Sequence, residues 1–142
     1  MLLPGPVKVP FAWVRLAGNR AYASGHGPLA PDGSLALPLG RVGAEVSLEQ
    51  AQHAAELAVL ALLGSLQRSL GDLDRVSAWL TLSGFVRVAP GFTETPAVLN
   101  SASDLLLDLY GPKAGAHART AIGVAELPFG VPVVVAAEVE IA

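Results

Sequence analysis

Arg119 is the side chain best placed to do chemistry. It stands at the entrance of Ala118-Arg119-Thr120-Ala121-Ile122-Gly123-Val124-Ala125-Glu126-Leu127-Pro128, an apolar run closed by a Leu-Pro turn signal. Read as a β-strand, the run puts Arg119, Ala121, Gly123 and Ala125 on one side, Ile122 and Val124 on the other. The arginine then heads a face of small residues, with open room before its guanidinium. A planar five-donor fork that keeps its charge is suited to gripping a carboxylate or a phosphate. The alternative is a structural arginine, paired with an acidic side chain or with carbonyls at a strand end.

The remaining reactive types form weaker patterns. His26, His53 and His117 have no familiar metal-ligand spacing, so no metal site and no cofactor is expected. His53 reads as helix surface. His117 precedes Arg119 by two and shares its face if the strand begins that early; His26 follows Ser24 by two, again on one face. Either histidine could serve a site or simply a strand end. Ser24 lacks a Gly-x-Ser-x-Gly elbow, and Gly25-His26-Gly27 has neither the lysine of a phosphate loop nor a dinucleotide fingerprint. Glu138 and Glu140 share a face of the last strand as a solvated pair, and Asn100 and Asp104 lie one helical turn apart.

These groups need a scaffold, and its elements are readable. Val9 to Ser24 predicts a β-hairpin turning at Gly18-Asn19, the glycine suiting a type II′ turn. Pro31-Asp32-Gly33-Ser34 is a turn, and Leu35 to Val46 a loop with a short edge strand. Ser47-Leu48-Glu49-Gln50 is a capping box. It opens a helix to about Leu70, stopped by Gly71, with apolar residues round most of its circumference and hence burial on more than one side. Val76 to Val86 is a strand. Thr95, as cap, with Pro96 in the first turn starts a second helix that ends near Tyr110, before Gly111-Pro112. Phe129-Gly130 turns the chain into a last strand, Val131 to Ile141. The order β-β-(β)-α-β-α-β-β predicts an α+β fold, one sheet with two helices on one face.

The 142 residues suit a single domain spanning 1–142. The hydrophobic fraction is 52% and only 15% of residues are charged, an apolar balance that points to a subunit interface. The best apolar run, Leu57 to Leu63, falls far short of the roughly 18 residues that span a bilayer, so no membrane partner is expected. Met1 to Lys8 does not read as a signal peptide, and the absence of cysteine fits a cytoplasmic protein. A net charge of −3 argues against a nucleic-acid partner read through its backbone.

Four segments together resemble the reactive-intermediate deaminase (RidA/YjgF-type) family, often labelled endoribonuclease L-PSP. They are Gly18-Asn19 followed by Ser24-Gly25, Gly71-Asp72-Leu73-Asp74-Arg75-Val76, Phe92 to Asn100, and Ala118-Arg119-Thr120 through Leu127-Pro128, with Pro128 nine residues after the arginine. The resemblance covers nearly the whole chain. It implies a chorismate-mutase-like fold assembled as a homotrimer, three sheets forming a central barrel with clefts between subunits. It also implies hydrolysis of enamines and imines, such as 2-aminoacrylate, to a 2-oxo acid and ammonia. Arg119 is then the carboxylate clamp, Ser24 matches the serine of a Ser-Gly-Gln signature (the third residue here is His26), and Asn100 matches the second-helix asparagine.

The departures are chemical. Phe11 replaces a tyrosine expected thirteen residues before the serine, and Val134 replaces the acid expected fifteen after the arginine, where it would position water. Ala136 replaces a second acid. Glu138 lies roughly 13 Å along the strand from Val134 and cannot substitute. Three readings follow: a divergent deaminase handling water through backbone groups, His26 or His117; a carboxylate-binding trimer without turnover; and a ribonuclease, which an acidic chain without a cationic run suits least.

Overall fold

The computed structural model describes residues 9–142; the expectation for Met1 to Lys8 lies outside them. Five strands and two helices follow one another: β1 (Val14–Ala17), β2 (Arg20–His26), α1 (Leu48–Leu70), β3 (Val76–Arg87), α2 (Thr95–Ala114), β4 (Ala118–Val124) and β5 (Val133–Ile141). The sheet order is β1-β2-β5-β3-β4. Only β3 and β4 run parallel, joined through α2; every other neighbouring pair is antiparallel. This is the expected α+β layer fold. The optional strand in Leu35 to Val46 does not form: that segment touches the sheet by an isolated bridge of Val42 to Val88 at the end of β3. Among the described residues no helix is long and apolar enough to cross a membrane.

Local chemistry sets the element ends. Gly18 (φ 59°) turns β1 into β2, pairing Ala17 with Arg20. Ser47 accepts from the Gln50 amide while Gln50 reaches back to the Ser47 amide, the reciprocal capping box. Gly71 at φ 82° ends α1. Gly111 (φ 82°, ψ 174°) breaks α2 at the expected place, and a further turn carries the chain to Ala114. Thr95 is not the cap of α2: the helix has no side-chain cap, and the Thr95 hydroxyl instead donates to the Ala121 carbonyl of β4 at 3.2 Å.

Both helices cover one face of the sheet, α1 over β2 and β5, α2 over β3 and β4. Alternate residues of β5 (Val133, Val135, Ala137, Val139 and Ile141) point into that layer and are buried. The intervening Val134, Ala136, Glu138 and Glu140 face away and stay half-buried. α1 buries one broad stripe rather than several sides, leaving Leu60 half exposed. Its Gln52 donates to the Ala97 carbonyl while Ser101 donates to that of Gln52, tying the two helices.

Two positions show how closely the layers meet. A Cβ on Gly84 would fall well inside contact of Leu99, so α2 rests directly on the β3 backbone. In β2, three steps from Ala23 to His26 pair with two steps of β5, Ala137 to Val135. That bulge turns His26 to the helix side. The expected common face of Ser24 and His26 is therefore lost. His26 is 2% exposed; its Nδ1–H donates to the Ser24 carbonyl, and its Nε2 accepts from the Ser65 hydroxyl at 2.7 Å. Burial lowers its pKa to about 4, and the Arg68 charge acts in the same direction.

Gly84→Ala is expected to lower stability by about 1–3 kcal/mol, because Leu99 must move or α2 must lift; the urea midpoint reads it. The His26 ring also sets an acid limb. Below pH 6.5 the unfolded chain binds a proton that the folded chain refuses until about pH 4. Stability should therefore decline as pH falls through that window, by roughly 3 kcal/mol in all. In His26→Gln the slope between pH 6.5 and 4 should flatten, whatever the variant's stability at pH 7.

Candidate functional site

The open site lies where α2 faces the edge strand β4. On α2, Asn100, Ser103 and Leu107 follow the i, i+3, i+7 spacing of one helix face, flanking the buried Val98, Leu99, Ala102 and Leu106. On β4, Arg119 pairs with Leu82 of β3 and turns toward α2. Its Nη1 donates to Asn100 Oδ1 at 2.8 Å and to Ser103 Oγ at 3.2 Å. Both partners are neutral. Among the described residues the ion pairs are Arg41–Glu45, His53–Glu56 and Arg87–Glu126; Arg119 is in none. The structural alternative of an acid-paired arginine is thus not realised among the described residues. With Nη1 committed, the edge formed by Nε and Nη2 is left to meet an anion in bidentate fashion.

Behind the arginine runs a hydrogen-bond chain. His117 Nδ1 lies 2.7 Å from the Gly115 carbonyl, which can only accept, so Nδ1 carries the proton. In the neutral ring Nε2 is then the acceptor, and the Ser103 hydroxyl donates to it at 2.9 Å. Arg119 donates to Ser103, Ser103 to His117, and His117 to the backbone. Ser103, Leu107, Ala116, His117 and Arg119 line an open hollow of about 330 Å³. A separate hollow of about 310 Å³, at the start of α1, has Glu49, Gln50 and His53 as its polar side chains. There His53 is taken up by Glu56 at 3.8 Å.

The other expected site residues lie elsewhere. Ser24 and Phe11 belong to the β1–β2 end of the sheet. Ser24 Oγ donates to the Ala12 carbonyl at 2.6 Å, and Phe11, half exposed, sets its ring edge-on to Trp13 at 5.0 Å. Val134 joins this group, its Cγ1 3.0 Å from where a Gly25 Cβ would stand. β5 and β3 separate β2 from β4, a gap of about 14 Å at three strand spacings. His26 is in neither group, being buried under α1. One chain therefore gathers Arg119, Asn100 and His117, and holds Ser24, Phe11 and Val134 apart from them.

Sequence reasoning passed over Ser103. Its only signals are its place three residues after Asn100 and the parity of His117 with Arg119, which becomes informative once α2 is known to lie over β4.

Comparison with known proteins agrees with this architecture. The family described as "YjgF/chorismate mutase-like, putative endoribonuclease" matches residues 10–139. Protein TCP17 of Trypanosoma cruzi is 42% identical over 125 residues, covering 88% of this chain and 77% of that one. A solved structure from Agrobacterium tumefaciens, a protein of unknown function, superposes with a TM-score of 0.90 at 38% identity, covering 96% of this chain and 85% of that one. Another, described as a putative endoribonuclease from Shewanella oneidensis, gives 0.88 at 28% identity, covering 99% and 93%. The family match spans nearly every described residue, including both helices and the Arg119 strand, and this chain belongs to the YjgF/chorismate mutase-like family.

Proposed function

We propose that Arg119 clamps the carboxylate of a small enamine or imine, which the protein hydrolyses to a 2-oxo acid and ammonia. One observation carries the reading: a half-buried guanidinium, fixed by two neutral acceptors, without an acidic partner among the described residues and facing a hollow. A carboxylate on the free edge would complete its charge and hydrogen bonding. The substrate class follows from the resemblance. Such substrates are already reactive, so holding the carboxylate orients C2 for attack by water and modest acid–base help completes the reaction.

Assembly belongs to the same proposal. Ser24 and Phe11 lie at one end of the sheet and Arg119 at the other, so a cleft containing all three needs two copies of the chain. The sheet face away from the helices, with Phe85, Ile122, Val134 and Ala136, is covered by no described element and offers the surface for packing in a homotrimer. A second reading, carboxylate binding without turnover, is favoured by Val134 and Ala136, which bring no acid to the Ser24 side. RNA cleavage fits less well: a polyanion calls for several cations, and among the described residues lining the hollow Arg119 is the one lysine or arginine.

The direct test follows 2-aminoacrylate, generated in situ, with and without protein. Arg119→Ala should lower kcat/KM by about 100-fold or more, ~3 kcal/mol, while light scattering shows an unchanged oligomer. Activity surviving in that variant would refute the clamp. Val134→Glu should raise the rate by restoring a carboxylate to the Ser24 half; an unchanged rate means water is handled by other groups.

A further inference from the structure

We propose that Ser103 and His117 are the proton-handling pair of this site, Ser103 Oγ meeting the attacking water and His117 Nε2 accepting the proton behind it. The proposal rests on the reading of Arg119 as the clamp of a hydrolysed substrate, and it supplies the base that Val134 does not.

Three observations converge. The first is geometry: a hydroxyl 2.9 Å from an imidazole nitrogen whose partner nitrogen is tied to a carbonyl at 2.7 Å. This is a donor–base pair with the base oriented by a third group. The second is charge. Arg119 Nη1 donates to the same Oγ at 3.2 Å, and a cation there favours a hydroxyl that gives up its proton. The third is access, since Ser103, His117 and Arg119 all line the one hollow.

The core supplies an internal control. Arg68 donates to Ser65 Oγ at 3.1 Å, Ser65 to His26 Nε2 at 2.7 Å, and His26 Nδ1 to the carbonyl two residues before it. Arginine, serine, histidine and the i−2 carbonyl recur in the same order. There, however, Ser65 and His26 are 5% and 2% exposed, and no ligand can reach them. That chain ties α1 to β2. The bonding pattern alone is therefore structural, and the hollow is what makes the second copy chemical.

With a protonated imine on Arg119, attack by water forms the C2–O bond and moves the C=N π pair to nitrogen. The water's proton passes to Ser103 Oγ as the Ser103 proton passes to His117 Nε2. The return transfer protonates the amine. The C–N bond then breaks with its electron pair leaving on ammonia, and the hydroxyl proton of the intermediate departs through the same pair as the carbonyl forms. Ammonia carries off the proton that the imine brought.

The test measures kcat and KM for 2-aminoacrylate-derived imine decay in wild type, Ser103→Ala, Ser103→Thr, His117→Gln, His117→Ala and Ser65→Ala. Binding of pyruvate, followed by thermal shift, is measured alongside. Ser103→Ala and His117→Gln should lose roughly 100-fold in kcat with KM for His117→Gln changed less than about threefold. Ser103→Thr should keep most activity, and added imidazole should restore turnover to His117→Ala, which a purely structural histidine would not allow. Ser65→Ala should lower the melting temperature and leave kcat alone. Wild-type kcat in a folded His117→Gln overturns the pair and leaves the clamp standing. If wild type does not accelerate decay, the pair and the deaminase reading fall together; pyruvate stabilising wild type but not Arg119→Ala then leaves a binding protein.

Discussion

The approach of α2 to β3 at Gly84 sets the rest of the geometry. Leu99 lies where a side chain at position 84 would stand, so helix and sheet are in direct backbone-to-side-chain contact. Interiors are packed too tightly to absorb a methyl group there without displacement. Because α2 is seated at that depth, the residue after Leu99 and the one three further on, Asn100 and Ser103, come within hydrogen-bond reach of a β4 side chain. The Thr95 hydroxyl pins the helix start to the Ala121 carbonyl, and the parallel β3–β4 ladder fixes Arg119 opposite Leu82. A guanidinium tolerates little positional error if it is to present one edge to a planar anion. The small residue in β3 and the large one in α2 thus determine what the edge strand can bind.

Two side-chain chains with identical bonding show how burial decides what a polar cluster does. In the His26 cluster a protonated ring would be a desolvated cation beside Arg68, and the ring stays neutral down to about pH 4. In the His117 cluster the ring borders a hollow and shares its serine with an arginine that has no counter-charge among the described residues. Each histidine donates to the carbonyl two residues before it, so the backbone chooses the tautomer in both cases, and each serine is presented by a helix. The clusters differ in where the arginine comes from, the serine's own helix for Arg68 and β4 for Arg119, and in what covers them.

Much of this was legible in the sequence because it is local. The Ser47–Gln50 box, Gly71 and Gly111-Pro112 announce helix ends through their own backbone requirements, and the Arg119 strand through its small-residue face. Features that depend on a distant partner were not legible. His26 changes face at a bulge that exists only against β5. Thr95 has the side chain of a cap, but its hydroxyl donates across the interface to β4 instead of accepting from the first helical turn. The Leu35 to Val46 strand reduces to isolated bridges because its long-range backbone partners are single contacts, Gly40 to Gly130 and Val42 to the end of β3. Ser103 was invisible for the same reason: its meaning comes from the phase of α2 over β4, which the buried Leu99 sets.

The division of the candidate residues between the two ends of the sheet bears on what the missing acids mean. An acid at position 134 would sit with Ser24 and Phe11, about two strand spacings from β4 and on the sheet face opposite the clamp. It could act on a ligand held by Arg119 only across a subunit boundary. A base just ahead of β4 has no such need, since Ser103, His117 and Arg119 meet within one chain. On the proposed reading, valine at 134 then moves the proton-handling task from the neighbouring copy to the copy that holds the carboxylate. On the same reading, the neighbouring copy would bring Phe11 and Val134 beside Ser24 as a largely apolar wall. A cleft with its charge and its base on one wall and hydrocarbon on the other favours a ligand with a carboxylate at one end and an apolar tail at the other.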